Sequence, residues 1–198
     1  MKIAVDKNQL TGSHEKSNKL KHDCIKNLGI ELVILPIPFG DYCLVTDEMQ
    51  ETIDRRGSKL KKQDLVADIK FSIDAKKGLS EVVSNICSSS HNRFRDEVIM
   101  AHKMGARFIV LIEEPGIHSV QDVFSWTNPR YYNWCKIKKL HEQGKALSRK
   151  ISSKPPTRGC QLAKAMLTMS SKYGVEWMFT TREDAGRKII ELLGGDLK

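Results

Sequence analysis

The chain has no long apolar run. Its two longest hydrophobic stretches, 30–39 and 108–112, fall far short of the roughly 20 residues a membrane helix needs. No secretory leader is expected, because Met1-Lys2-Ile3-Ala4-Val5-Asp6 meets a charge too early. Cysteine is sparse: Cys24, Cys43, Cys87, Cys135 and Cys160 are odd in number, scattered, and form no C-x-x-C pair. That argues against a zinc site and a disulfide framework and for reduced thiols in a soluble protein. There is no glycine-rich phosphate loop, since Gly194-Gly195 lies too near the C-terminus, and there is no internal repeat. Histidines 91, 102, 118 and 141 share no spacing with the acidic residues discussed below and are read as surface or packing side chains.

Acidic residues are also in deficit, 24 against 33 lysines and arginines, for a net charge of +9. The imbalance is local. Between Arg130 and Lys164 stand ten bases (Arg130, Lys136, Lys138, Lys139, Lys145, Arg149, Lys150, Lys154, Arg158, Lys164) against Glu142 alone, which equals the whole excess of the chain. A charge run is often only a solvated face. Here Phe124, Trp126, Tyr131, Tyr132 and Trp134 lie just upstream and within it, and rings beside cations suit a nucleic acid with unpaired bases.

Hydrophobic periodicity organises the rest. Lys2 to Val5 and Glu31 to Leu35 read as strands flanking a helix from Glu15 to Leu28, whose apolar residues Leu20, Cys24 and Leu28 recur every four positions before Gly29. Pro36-Ile37-Pro38 ends pairing, and Gly40 turns the chain into a strand over 42–46. Residues 47–64, dense in charge, read as a loop or hairpin tip. Alternation over 65–73 predicts a strand with apolar residues at 65, 67, 69, 71 and 73 on one face and Asp68, Lys70, Ser72, Asp74 and Lys76 on the other. Helices are expected over 79–86, 92–104, 131–145 and 162–173 and after 184, with strands over 107–112 and 175–179. Strands and helices alternate, so the fold class is α/β: a three-layer α/β/α sandwich around a mixed central sheet. Residues 1–198 are read as one domain, with the charged loop at 47–64 and a basic aromatic insertion at about 114–158.

Three acids end apolar runs: Asp6 after Val5, Asp41 after Gly40, and Asp74 in Ile73-Asp74-Ala75-Lys76. On a strand, Asp74 and Lys76 share a face, so a carboxylate able to hold a divalent ion lies beside an ammonium. Hydrolysing a phosphodiester requires an activated water and neutralisation of phosphoryl charge, and that pairing can serve both needs. Asp41 and Asp74 are the candidate metal ligands, with the Ala75 backbone carbonyl as third oxygen and Asp6 as an auxiliary ligand; Lys76 is the electrostatic group. An all-oxygen set favours Mg2+ or Mn2+ over zinc. Asp68-Ile69-Lys70 repeats the D-x-K pattern, but Asp74 stands at the strand end before a glycine and a helix, where substrate has access.

The order and spacing of these residues resemble the XPF-type nuclease domain, a branch of the PD-(D/E)xK superfamily that includes the archaeal Hef nuclease. The likeness runs through Val5-Asp6, Gly40-Asp41-Tyr42, Asp74-Ala75-Lys76, the 79–86 helix, Arg93 and Glu97, Phe108 to Glu113, and Thr181 to Ala185, nearly the full chain. It implies a restriction-endonuclease-like fold and a metal-dependent endonuclease acting on branched, flapped or partly single-stranded DNA. The resemblance also implies a homodimer, while the reduced cysteines point to a cytoplasmic setting, or a nuclear one in a eukaryote. Departures are specific. Asn8 and Gln9 stand where the family has Arg and Glu, Ala75 where it has Arg, and Ser80 where it has Asp, with Glu81 one place late as a substitute and either Glu81 or Glu97 left to complete the site. Two alternatives follow: an inactive DNA-binding module of the same fold, and an RNA-directed nuclease or RNA-binding protein.

Candidate nucleic-acid contacts are Arg93, Arg130, Trp134, Lys136, Lys138, Lys139, Arg149, Lys150 and Arg158. Reversing the charge of Lys136, Lys138 and Lys139 together is expected to weaken DNA binding and flatten its salt dependence, as measured by titration at several salt concentrations. Unchanged affinity and slope would remove the segment from the binding surface.

Overall fold

The computed structural model describes residues 1–10, 12–144 and 154–195, with backbone alone for 12–14. Among these, six strands, β1 (Lys2–Asp6), β2 (Glu31–Leu35), β3 (Tyr42–Leu44), β4 (Phe71–Lys76), β5 (Arg107–Glu113) and β6 (Glu176–Thr180), form one sheet in the order β2-β1-β3-β4-β5-β6. β3 runs antiparallel to both its neighbours, and every other adjacent pair is parallel. The helices are α1 (Gly12–Asn27), α2 (Asp47–Arg56), α3 (Leu79–Ile86), α4 (His91–Lys103), α5 (Val120–Val123), α6 (Pro129–Glu142), α7 (Gly159–Tyr173) and α8 (Ala185–Leu192). None of them is long and apolar enough to cross a membrane.

Strand alternation sorts the core into two layers. Ile3, Val5, Tyr42, Ile73 and Leu111 project to one side, where Ile25 of α1 and Ile189 and Ile190 of α8 cover them. Ala4, Cys43, Phe108, Val110 and Ile112 project to the other, against Met49 of α2, Leu79 and Val82 of α3, Phe94 and Val98 of α4, and Leu162 and Met166 of α7. The result is the expected restriction-endonuclease-like three-layer sandwich. At Gly186 the two outer helices of the first layer nearly touch, since a Cβ there would lie 2.8 Å from the Cys24 Cβ and from the Lys21 carbonyl oxygen.

Three local expectations need correction. First, α1 does not bury the stripe of Leu20, Cys24 and Leu28. Leu20 and Leu28 are exposed, and the inward face carries Asn18, Lys21, His22 and Ile25. Lys21 and Glu113 of β5, only 3% and 4% exposed, form an ion pair beneath the sheet, and His22 Nε2 bonds the buried Tyr42 hydroxyl at 2.8 Å. Satisfying those buried polar groups outweighs burying two leucines on an outer helix.

Second, much of the charged 47–64 segment is helical. Thr46 caps α2 by accepting from Met49 N at 3.2 Å, acids Asp47 and Glu48 occupy its first turn and Arg55 and Arg56 its last, and Met49 and Thr52 anchor it to the core. Two 3-10 turns, Gly57–Lys59 and Lys62–Asp64, follow. Third, β4 begins at Phe71, not Leu65. The bonds Leu65 N to Lys62 O and Asp68 N to Leu65 O are turn bonds, so Leu65 and Ile69 pack into the α2 to α4 layer, whereas Ile73 faces α1 and α8.

The ion pair under the sheet gives a direct test. Lys21→Met leaves Glu113 buried and unpaired and is expected to cost about 3–5 kcal/mol in urea unfolding. The double variant Lys21→Met with Glu113→Leu should recover most of that loss; equal destabilisation of single and double variants would rule out a pairwise origin.

Candidate active site

β1, β3 and β4 are side by side, and their ladder places the three acids together. Asp6 N donates to the Asp41 carbonyl at 2.9 Å, and Asp41 N donates to the Ile73 carbonyl at 2.7 Å, so the residue before β3 is pinned between the ends of its two neighbours. Gly40 makes the approach feasible. Its φ is +73°, and a Cβ would fall 2.0 Å from Ser72 Oγ, which donates to the Phe39 carbonyl at 2.7 Å.

The side chains open into a cleft of about 520 Å³ whose lining includes Asp6, Gln9, Asp41, Lys62, Asp74, Ala75, Lys76, Glu81, Arg93 and Glu97. Lys76 Nζ donates to Asp74 Oδ1 at 2.7 Å, confirming that period 2 sets them on one face. Asp41 accepts from Ala75 N at 2.9 Å and from Gln9 Nε2 at 2.6 Å. Gln9 is in turn held by Asn18 Nδ2 at 2.7 Å through its side-chain oxygen. Glu97, on α4, accepts from Gly40 N at 2.8 Å. Glu81, on α3, accepts from Lys77 N at 2.9 Å.

Electrostatics follow from this crowding. Burial, and next the charge of Asp74, push the Asp41 carboxyl well above its ordinary value. Burial and then Asp74 also raise Glu97. For Lys76, burial works against the ammonium, but the charges of Asp74 and Asp41 outweigh it and hold the group above its ordinary value. On the underside, burial first, then Asp41 and Glu113, raise the Tyr42 hydroxyl, while burial and the neighbouring lysines 21 and 26 lower His22 to about 4.

Among the described residues, no three His, Cys, Asp or Glu side chains converge into a ready-made metal cage. What the cleft offers is Asp41 and Asp74, two carboxylates whose mutual repulsion a cation would relieve, with no histidine or cysteine among its lining residues. This suits an ion that keeps several waters and takes one or two protein carboxylates, the pattern of Mg2+.

The cleft gathers Asp6, Asp41, Asp74, Ala75, Lys76 and Arg93 from the sequence-derived set. Asp6 is already engaged, accepting from Asn8 N at 2.9 Å and from Lys62 Nζ at 3.2 Å. Lys62 thus supplies, from the segment read as a loop, a cation beside Asp6. Gln9, counted as a missing acid, is a donor that aims Asp41. Neither role had a signal in the sequence, because both depend on which turn returns to β1. Asp68 lies outside the lining, in the turn before β4, and one of its oxygens is buried without a partner.

Arg130 lies one groove away, with Lys77, Glu81 and Glu114. Trp134, Lys136, Lys138 and Lys139 project from α6, which buries none of its residues, and Arg158 precedes α7. Arg149 and Lys150 fall outside the described residues.

The raised carboxyls give a pH signature. With folded values above the ordinary 3.8 of Asp41 and 4.5 of Glu97, the metal-free folded state binds more protons than the unfolded one in the window above those values. Stability from these groups is therefore present at low pH and lost as pH rises through the window. His22 acts oppositely, removing stability as pH falls from 6.5 toward about 4. The informative quantity is the difference: without metal, Asp41→Asn should gain on wild type as pH rises from 5 to 8, read from urea midpoints. A constant difference across that range would contradict the raised Asp41.

A family model described as the ERCC4 domain matches residues 5–192. No curated protein matches the chain. The family match runs from β1 to the end of α8 and takes in every strand that carries an acid of the cleft, and the chain belongs to the ERCC4 domain family, that of the XPF-type structure-specific nucleases.

Proposed function

We propose that the protein is a Mg2+- or Mn2+-dependent endonuclease that hydrolyses phosphodiester bonds in branched, flapped or partly single-stranded DNA. The observation that carries this is the pairing of Asp41 and Asp74 in one cleft with Lys76 bonded to Asp74 at 2.7 Å. DNA as substrate follows from the family, and the net charge of +9 is in keeping with it.

Asp41 and Asp74, with the Ala75 carbonyl, would hold the ion, which when bound supplies an activated water and polarises the phosphoryl oxygens. The chain's own groups do the rest. Gln9 and Ala75 N fix the Asp41 carboxylate in one orientation, so its aim does not depend on solvent. The Lys76 ammonium, held charged, faces the phosphoryl oxygens and offsets the negative charge that grows there. Glu97, whose carboxyl is raised by burial and by Asp74 in the same cleft, is placed to exchange a proton there, and Arg93 places a second cation beside the scissile phosphate. Asp6, bonded to Lys62, steadies the β1 wall and stands ready as an auxiliary ligand.

Asp41→Asn, Asp74→Asn and Lys76→Ala should each reduce cleavage of labelled flap, fork and Holliday-type DNA by about 100-fold or more. Chelation with EDTA should stop the wild type. Cleavage that survives both aspartate substitutions would place the chemistry elsewhere. No cleavage by the wild type in either metal would favour an inactive binding module, and preference for matched RNA would reassign the substrate.

A further inference from the structure

Beside the acidic cleft lies a second concavity. Phe124, Trp126, Thr127, Asn128, Tyr131, Arg158, Gly159 and Cys160 enclose about 240 Å³. That is smaller than the roughly 300–1,000 Å³ of pockets that take drug-sized ligands, and suits a single planar ring system. Two features make it a built site. Gly159 admits the close approach that shapes it, because a Cβ there would lie 2.3 Å from the Val123 carbonyl and 2.4 Å from that of Trp126. The Arg158 guanidinium is also fixed before any ligand arrives, lying 5.2 Å over the Tyr131 ring and donating to the Tyr131 hydroxyl at 2.9 Å. Tyr131 stacks on Trp134 at 5.9 Å, and Lys138 lies over Trp134 at 5.3 Å.

A hydrogen bond ties the pocket wall to a groove that borders the cleft. Trp126, in that wall, donates through Nε1 to Glu114 Oε1 at 3.2 Å, and the other oxygen of Glu114 accepts from Leu79 N at 2.7 Å. Glu114 lines the intervening groove with Arg130, Lys77 and Glu81, and the last two also line the acidic cleft. Arg130 of the groove is the sequence neighbour of Tyr131 of the pocket, so a strand lying along the groove passes close to the ring-lined pocket.

We infer that this pocket takes one unpaired nucleobase of a single-stranded arm, stacked on the Arg158 guanidinium and the rings around it, while the flanking phosphates lie toward Arg130. A base inside a duplex shows only its edges, whereas a pocket walled by ring and guanidinium faces requires a base that has left its stack. Thr127 and the Arg158 N–H groups supply polar partners at the rim, so the site accepts any base more readily than it selects one. The inference rests on the nuclease reading and adds to it the place where single-stranded character is sensed. The cleft alone binds phosphate charge, common to all DNA.

The test uses full-length protein carrying Asp74→Asn, to suppress cleavage, and forked DNA with 2-aminopurine stepped through the single-stranded arm. Fluorescence should change at one or two adjacent arm positions and not when the probe is paired. Tyr131→Leu and, separately, the exposed Arg158→Gln should abolish that change and weaken binding of forked DNA roughly ten-fold, with a smaller loss on blunt duplex. Equal losses on forked and blunt DNA, or a probe silent at every position although forked DNA binds and the wild type cuts it, would overturn the pocket and leave the nuclease standing. Failure to bind or cut any DNA would overturn the nuclease reading and the pocket with it.

Discussion

Two carboxylates held against each other at the end of a sheet set the terms for this molecule. Asp41 and Asp74 lie where β3 and β4 meet the cleft, and the backbone bonds from Asp6 to Asp41 and from Asp41 to Ile73 leave little room for them to separate. In water such groups would move apart. Here the ladder forbids it, so the repulsion is absorbed chemically: Asp41 is raised, Lys76 is drawn in and kept charged, and Glu97 rises with them. Two carboxylates held this close are unfavourable without a compensating charge, and the folded protein carries that cost in the layers around it.

The compensations are polar as well as apolar. Ile3, Val5, Ile73 and Leu111 form an ordinary hydrocarbon seam with α1 and α8, yet α1 turns Lys21, His22 and Asn18 into that interface. Lys21 neutralises Glu113 at the end of β5. His22, kept neutral by burial, meets the Tyr42 hydroxyl next to Asp41 in sequence. Asn18 reaches Gln9, which holds Asp41. The same helix thus braces the sheet from below and aims one carboxylate above it.

Much of this was legible in the chain. The three acids, Lys76, the alternating elements and the layer architecture follow from apolar runs that end in charge, because strand ends are where side chains leave a sheet. What escaped depends on contacts distant in sequence. Leu20, Cys24 and Leu28 made a convincing stripe, but periodicity cannot reveal that Glu113, 92 residues from Lys21, needs a buried partner. Residues 47–64 had the composition of a loop, and the seat that the core offers Met49, added to the Thr46 cap and the terminal charges, makes α2 a helix. Gln9 looked like a lost acid until its amide was seen bonded to Asp41. The rings of the basic segment were visible, whereas their arrangement with Arg158 and Lys138 was not.

The inward polar face of α1 has a consequence for how this cleft can change over time. Hydrocarbon contacts tolerate small rotations of a helix about its axis, since one methyl serves nearly as well as the next. Hydrogen bonds from Asn18 and His22 do not, because each has a particular atom to meet. An outer helix locked in this way transmits its setting to Gln9 and so to Asp41. Substitutions on its outer surface, at Leu20 or Leu28, can therefore drift freely, while its inner face can change only in concert with residues on β3, β5 and the turn after β1.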